Sequence, residues 1–394
     1  MVERDAHLGA PSRPATARVG MVGAGQLARM TQSAAIDLGV ELHVLATRTD
    51  EPAVLAGARC HLGAPDDDAA LLAFAEAVDV VTLDHELVSD AALAEMAARG
   101  HAVHPSAAAL LHAKDKLHAR EQLAGLGLAV PAFAPVASAD DVAAFAAEHG
   151  WPVVCKARRG GYDGRGVAVV TDVAAAAEVL TRGGEWMVEA LVDIEVELAV
   201  VTARRPGGQR VTYPVVETVQ QDGICVELLQ PARVSDEVAA TATALGQQVA
   251  DAVEGVGIVA VELFVDRAGA LTINELALRP HNSGHATIEA AVTSQFHNHL
   301  RAVLDWPLGD AGLRVPAAAM VNLLGPPGED RIAEALPGAL EVSGAAVHLY
   351  GKASRPGRKI GHVTVTGDDG EAALAAARDA ADRLVGRWSP AAPR

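Results

Sequence analysis

The chain has 394 residues, half of them hydrophobic and 21% charged, enough for two or three domains with sizeable cores. A formal net charge of −18 argues against nucleic acid or an anionic membrane as main partner, while an anionic substrate stays open if the basic residues concentrate in one place. Cys60, Cys155 and Cys225 are far apart and odd in number, which argues against a disulfide framework or a zinc site and fits a reducing cytosol.

Residues 1–17 hold Pro and Ala without a signal-type apolar run and read as a disordered tail. No stretch approaches 18 uninterrupted apolar residues, so no membrane span is expected. Residues 18–23 read as a short buried strand and Gly23-Ala24-Gly25 as a tight turn. Leu27, Met30, Ala34, Ala35 and Leu38 then recur at helical spacing. Further strands over 41–45 and 78–83, alternating with helices, predict a parallel, doubly wound sheet for residues 18–105.

The texture changes near Pro105. Helical segments over 106–128 and 139–149 precede a β-rich run, 152–170, which a glycine loop interrupts. A helix follows Thr171, then strands near 186–190, 195–203 and 210–217, a helix over 235–254, and a hairpin of 259–265 with 270–275 turned at 266–269. From Pro316, strands at 317–323, 345–350 and 360–366 and a closing helix over 370–386 make a small last domain. The fold class is α/β, divided as 18–105, 106–315 and 316–394. No internal repeat is visible.

Gly23-x-Gly25 followed by Arg29 has the form of a dinucleotide-binding turn, where glycines let the backbone approach a phosphate at a helix N-terminus. Ala28 stands at the third glycine position, and Ala46-Thr47 end the second strand where a ribose-binding acid belongs. A plain tight turn, or a simple phosphate site, is the competing reading.

The run Gly160-Gly161-Tyr162-Asp163-Gly164-Arg165-Gly166 carries more. Its N–H groups can close over phosphates, and Lys156, ending an apolar strand four residues earlier, can reach the same phosphates from below. It is not a Walker A loop, since no Gly-Lys-Ser/Thr follows. A hairpin loop with incidental charge is the alternative, and Tyr162, Asp163 and Arg165 speak against it.

Glu262 and Glu275 form a candidate metal pair. With a turn over 266–269, Val265 pairs with Ala270 and Glu262 lies opposite Ile273, so the two acids are diagonal neighbours within reach of one magnesium ion. A one-residue slip would separate them, and two solvated strand acids are the alternative. Just beyond, Arg279-Pro280-His281-Asn282-Ser283-Gly284-His285 crowds hydrogen-bonding groups around a glycine, a surface suited to something small, polar and charged. Lys352, Arg355, Arg358 and Lys359 put four cations within eight residues of an acidic chain, a candidate anion site or an exposed basic loop.

Five motifs in this order resemble the ATP-grasp superfamily and, within it, the N5-carboxyaminoimidazole ribonucleotide synthetases of purine biosynthesis. They are GAGQLARM (23–30), GGYDGRG (160–166), NELALRPHNSGH (274–285), SQFHNHLRAV (294–303) and RPGRKIGH (355–362), and the resemblance runs from about residue 18 to 366. It implies an ATP-grasp fold with an N-terminal Rossmann-like (preATP-grasp) domain, a lid subdomain over about 130–192 within the ATP-grasp domain, and a small C-terminal β-rich domain. It also implies an ATP- and magnesium-dependent carbon–nitrogen ligase, with manganese as a second candidate metal. ATP phosphorylates bicarbonate to carboxyphosphate, which carboxylates the 5-amino group of 5-aminoimidazole ribonucleotide directly or through carbon dioxide, with release of ADP and phosphate. A short-lived carboxyphosphate explains a closing lid and a pre-bound acceptor. A homodimer, cytoplasmic location and small-molecule substrates, with no nucleic acid and no membrane, belong to the same picture.

Carried over by motif, Lys116, Lys156, Gly161, Gly164 and Gly166 would bind the ATP phosphates. Glu189 to Val192 would supply the adenine hinge and Glu197 the ribose contact, and Asn274 would sit beside the metal acids Glu262 and Glu275. Tyr162, Asp163, Arg165, Glu86 and Lys359 would border the reacting groups. Gln26, His281, Asn282 and Arg301 would shape the bicarbonate and nucleotide pocket, and Lys352, Arg355, Arg358 and Lys359 would meet the ribotide phosphate or the transferring phosphoryl. Lys116 and Arg120 stand where the family has Arg and Lys, Asp84-His85-Glu86 is followed by Leu87 in place of Asn, and Leu278, Ala286 and Gln220 also depart from its pattern. Competing readings are a sister enzyme such as the formate-dependent glycinamide ribonucleotide transformylase, a nicotinamide oxidoreductase resting on Gly23-x-Gly25, and a silent paralogue.

Overall fold

The computed structural model describes residues 16–161, 166–326 and 331–386. Most of the expected N-terminal tail, four residues of the glycine loop and the Pro-rich C-terminal end lie outside them. Strands β1 (Arg18–Val22), β2 (Glu41–Ala46), β3 (Arg59–Leu62), β4 (Val80–Leu83) and β5 (Ala102–Val103) form a wholly parallel sheet in the order β3-β2-β1-β4-β5. The order reverses beside β1, so a crevice opens past the carboxyl ends of β1 and β4. Apart from Arg18 at its start, β1 is apolar and buried, and β4 is buried throughout, as a covered parallel sheet requires. Two strands escaped the sequence reading because β3 reads Arg-Cys-His-Leu and β5 is two residues long.

The helical stretch expected over 106–128 is two helices, Ala107–Lys114 and Lys116–Gly125. Asp115 between them is extended, and its carboxylate accepts from the N–H groups of Leu117 and His118, restarting the helix as an N-cap. Lys116 and Arg120, four residues apart, therefore lie on one helical face.

Strands β6 (Phe133–Val136), β7 (Val153–Ala157), β8 (Val167–Val170) and β9 (Trp186–Ala190) form an antiparallel sheet, β6-β9-β7-β8, covered by helices Ala139–His149 and Val173–Leu180. The glycine loop joins β7 to β8, and Ala157 N–H donates to the Gly166 carbonyl at its base (2.7 Å).

The largest sheet contains β10 (Ile194–Arg204), β11 (Arg210–Thr212), β12 (Val216–Gln221), β13 (Ile224–Gln230), β14 (Gly257–Asp266), β15 (Leu271–Ala277), β16 (Ala317–Leu324), β17 (Ala345–Leu349) and β18 (Lys359–Gly367). Its order is β15-β14-β10-β12-β13-β16-β18-β17, with β11 paired to the far end of β10. The strand expected over 210–217 is broken into β11 and β12 around Pro214, which has no N–H for the ladder. β13 is buried along nearly its whole length and shows no in–out alternation, so periodicity did not reveal it. The C-terminal strands continue the same sheet, because β16 pairs with β13 from Glu227↔Val321 to Gln230↔Ala318.

Helix Asp236–Ala252 covers β10 and β14, and helix Gly370–Val385 covers β16 and β18. Helix Gln295–Val303 links the sheets. Its Phe296 and Leu300 pack with Leu27 and Met30 of helix Gln26–Leu38, while His299 Nε2 lies 3.0 Å from Thr82 Oγ1 on β4. Among the described residues no helix is long and apolar enough to cross a membrane.

Candidate active site

The β14–β15 hairpin places its acids by a route the sequence does not show. Its turn is wider than the expected 266–269: Asp266 N–H donates to the Ala270 carbonyl (3.0 Å), and Asp266 Oδ1 accepts from the N–H groups of Ala268 and Ala270 (both 2.9 Å). Ala270 is thus held in the turn, and Val265 pairs with Leu271 rather than Ala270. That slip alone would turn Glu275 to the opposite face. A bulge after Leu263↔Ile273 absorbs one more residue, Asn274, and brings Glu262 directly opposite Glu275. The expected diagonal pairing is therefore corrected to a facing pair.

Around this pair the cations are arranged unevenly. Lys116 Nζ donates to Glu275 Oε2 (2.9 Å) and holds that carboxyl well below its usual range. Glu262 is pushed up instead, first by withdrawal from water and then by the charges of Glu275 and Glu197. His281 Nε2 is 3.5 Å from Glu262 Oε1, and Asn274 Nδ2 is 3.5 Å from Glu262 Oε2. Two facing carboxylates are hard oxygen donors, suited to a magnesium ion that takes its remaining ligands from water and substrate phosphates. Among the described residues no group of three or more His, Cys, Asp or Glu gathers into an all-protein metal cage.

Next to the pair lies a buried ion network. Glu189 on β9 accepts from Arg120 Nε through Oε1 (2.6 Å), and its Oε2 lies 2.6 Å from Lys156 Nζ. Lys156 also donates to Asn274 Oδ1 (3.2 Å), and Arg120 donates to the Asn274 carbonyl. Burial alone would raise the Glu189 carboxyl, but Arg120 and Lys156 together hold it low. Burial outweighs Glu189 at Lys156 and lowers that ammonium from its ordinary value. Val192 lies on the β9–β10 connection, its carbonyl accepting from Ile194 N–H (3.0 Å). Glu197 on β10 is half-buried, and burial followed by the Glu275 charge pushes it up to about 7.

The polar run beyond β15 closes the cleft. Arg279 Nε is 2.8 Å from Glu86 Oε1, which ties this loop to the first domain. His281 Nδ1 accepts from Ser283 N–H (3.4 Å) and lies 2.8 Å from Ser283 Oγ, so the ring's Nε2 side faces Glu262. Asn282 and Asn322 exchange amide hydrogen bonds in both directions (3.0 and 2.8 Å).

From the C-terminal side, Lys352 donates to Gln26 Oε1 at the start of helix Gln26–Leu38, with its ammonium 5.9 Å above the Tyr350 ring. The loop carrying Arg355 and Arg358 folds back on the end of β16, Gly325 N–H donating to the Arg358 carbonyl (2.8 Å). Lys359 is near enough for its charge to lower the Glu262 carboxyl. Gly161 and Gly166 flank the glycine loop, whereas Tyr162, Asp163, Gly164 and Arg165 lie outside the described residues.

Arg301, expected at the pocket, makes its contacts with the chain beyond its own helix. Its Nε donates to the Pro307 carbonyl (2.5 Å), and its guanidinium packs against Gly309. The Gly23–Gly25 turn is also accounted for: Asp84 Oδ2 accepts from Gly25 N–H (2.6 Å) and Oδ1 from Ala28 N–H (3.3 Å). The protein's own carboxylate fills the helix N-terminus where a dinucleotide phosphate would sit. Arg120, Arg279, Gln295 and Asn322 were not assigned from sequence. Arg279 and Gln295 lay inside quoted motifs, but only their contacts distinguish them.

Three family models tile the chain: a ribonucleotide synthetase preATP-grasp domain over 16–114, an ATP-grasp domain over 121–296, and a phosphoribosylaminoimidazole carboxylase C-terminal domain over 318–376. The N5-carboxyaminoimidazole ribonucleotide synthase of Mycobacterium tuberculosis is 48% identical over 383 residues, 94% of this chain and 89% of that one. The Corynebacterium ammoniagenes protein of the same name is 43% identical, covering 94% and 93%. The N5-carboxyaminoimidazole synthase of Aspergillus clavatus, solved in complex with ADP and 5-aminoimidazole ribonucleotide, superposes with TM-score 0.87 at 32% identity over 94% of this chain and 98% of that one. The synthetase from Thermus thermophilus superposes with TM-score 0.84 at 37% identity, covering 94% and 99%. With its α/β architecture, its facing carboxylates and these likenesses along nearly its whole length, the chain belongs to the N5-carboxyaminoimidazole ribonucleotide synthase family of ATP-grasp ligases.

Proposed function

We propose that this chain uses ATP and bicarbonate to carboxylate the 5-amino group of 5-aminoimidazole ribonucleotide, giving N5-carboxyaminoimidazole ribonucleotide, ADP and phosphate in purine biosynthesis. The observation that carries this is the Glu262–Glu275 pair, set between the phosphate-side cations Lys116 and Lys156 and the loop of Arg279 and His281. A bicarbonate oxygen attacks the γ-phosphorus, ADP leaves, and the carboxyphosphate formed is attacked at carbon by the ribotide amine. Phosphate then departs and the nitrogen loses a proton.

Magnesium held by Glu262 and Glu275 would neutralise the phosphate charge during the first transfer. The chain's own groups do the rest by position and charge. Lys156 stays anchored by Glu189 and Asn274 and points at the triphosphate. Lys116, paired with Glu275 in this structure, would bind a phosphate once the two acids hold magnesium. His281 presents Nε2, and Lys359 supplies positive charge, where the carboxyphosphate forms. Gln26 and Lys352 meet the ribotide from opposite domains, with Arg355 and Arg358 beside its phosphate. Family resemblance supports Tyr162, Asp163 and Arg165 as residues bordering the reacting groups, and likewise a cytoplasmic homodimer.

The test is ADP release with Mg-ATP and bicarbonate, with and without 5-aminoimidazole ribonucleotide, against glycinamide ribonucleotide plus formate as control. Strong stimulation by the aminoimidazole ribotide, lost in Glu275→Gln, is the expected result. Stimulation only by the control pair would move the chain to the sister activity.

A further inference from the structure

The motif over 294–303 contributes no group to the chemistry above, yet one of its side chains is fully buried directly behind the reacting site. Gln295 is 0% exposed. Its Oε1 accepts from His281 N–H (2.9 Å), and its Nε2 donates to the His281 carbonyl (2.7 Å). A single carboxamide thus pairs with both backbone groups of one residue, as a neighbouring strand would. Its second N–H points to His285 Nδ1 (3.1 Å), so both amide hydrogens and the oxygen are engaged, and reversing the amide would break both His281 bonds.

The loop is built around this contact. A Cβ on Gly284 would lie 2.4 Å from Gln295 Oε1, so the chain crosses the carboxamide where only glycine fits. Gln295 N–H donates to Thr287 Oγ1 (2.9 Å), and Thr287 Oγ1 donates to the Gly284 carbonyl (2.5 Å). The same helix is fixed to the first domain through His299 and Phe296. The His281 ring therefore takes its place from a backbone clamped to a rigid helix, and Ser283 sets which ring nitrogen faces Glu262.

We infer that Gln295 is a positioning residue for the carboxyphosphate-forming step, acting through the backbone of His281. This rests on the placement of His281 at the reacting groups. Gln295→Met keeps the side chain's size but removes all three hydrogen bonds. It is expected to lower kcat for ADP release about 100-fold, the typical cost of roughly an ångström of misplacement, while KM for ATP changes less than about twofold. Gly284→Ala pushes the carboxamide off His281 from the other side and is expected to lower kcat in the same way, which keeps the inference testable if Gln295→Met folds poorly.

The deciding measurement is a double-mutant cycle. In a His281→Ala background neither substitution should lower kcat further, because the residue it acts through has lost its ring. An equal fold-loss in both backgrounds, or wild-type kcat in Gln295→Met, would overturn the inference and leave the proposed activity standing. Wild-type kcat in His281→Ala itself would overturn the placement of His281, and the inference with it.

Discussion

Two sets of carboxylates share one cleft and are treated in opposite ways. Glu189 has its counter-charges built in: Arg120 and Lys156 grip both its oxygens, and its carboxyl is held low despite burial. Glu262 and Glu197 face other acids, and withdrawal from water together with neighbouring negative charge pushes both up. One set is a finished structural network that fixes the lysine. The other is short of positive charge, which is the condition for receiving a metal–nucleotide. Burial is common to both, so the difference lies in the charge of the neighbours.

The largest expected effect comes from changing Glu275, the acid whose charge crowds both members of the unfinished set. Glu275→Gln should lower kcat for ADP release by about 100- to 1,000-fold, the usual scale for losing one preorganised charge contact in the transition state. The activity should also need more magnesium to reach its plateau, and a variant saturating at wild-type magnesium with full kcat would remove Glu275 from the metal site. Glu189→Gln attacks the finished set and should act on stability instead. It strands Arg120 and Lys156 as buried charges, at about 3–5 kcal/mol in urea unfolding. A loss of activity with unchanged unfolding would mean the network is catalytic rather than structural.

The pH dependence separates the two sets by sign. Glu197 has a folded value near 7 against an ordinary 4.5, so its contribution to stability is present below pH 4.5 and lost as pH rises through 7. Glu189 is held below its ordinary value, so its contribution is present above pH 4.5 and lost as pH falls further. With chelator present, the unfolding free energy of Glu197→Gln should fall less between pH 5 and 7.5 than that of the parent. Identical slopes would show that Glu197 is not crowded as the geometry implies. The smallest effect is expected at Asp84, whose partners are backbone N–H groups. Asp84→Ala should cost about 1 kcal/mol, as loss of a helix cap does, without creating affinity for nicotinamide nucleotides in a calorimetric titration.

Much of the architecture was legible in the residues. Apolar runs alternating with helical periodicity gave the parallel first sheet, and the glycine, acid and cation motifs gave the family. What was missed had physical causes. β13 is buried on both faces and carries no alternation, while β3 and β5 are too polar or too short to register. The 106–128 helix looked continuous because Asp115 is tolerable within a helix, and only its capping bonds show that the chain restarts there. Arg301 sits on a helix with motif residues on either side, yet its guanidinium turns to Pro307. A motif fixes a residue's place in the chain and leaves its direction open.

By itself the sequence determined the classes of group available: which strands could be buried, which loop could close over phosphates, which acids could hold a metal. These follow from local periodicity and side-chain chemistry, which need no partner to be read. The tertiary structure alone decided which groups meet. Asp266 held Ala270 in the turn, the bulge at Asn274 brought Glu262 opposite Glu275, Asp84 closed the glycine turn, and Gln295 clamped His281. Each depends on hydrogen bonds whose partners are set by register and long-range packing, and a one-residue change in register would undo the facing carboxylate pair while leaving every local pattern intact.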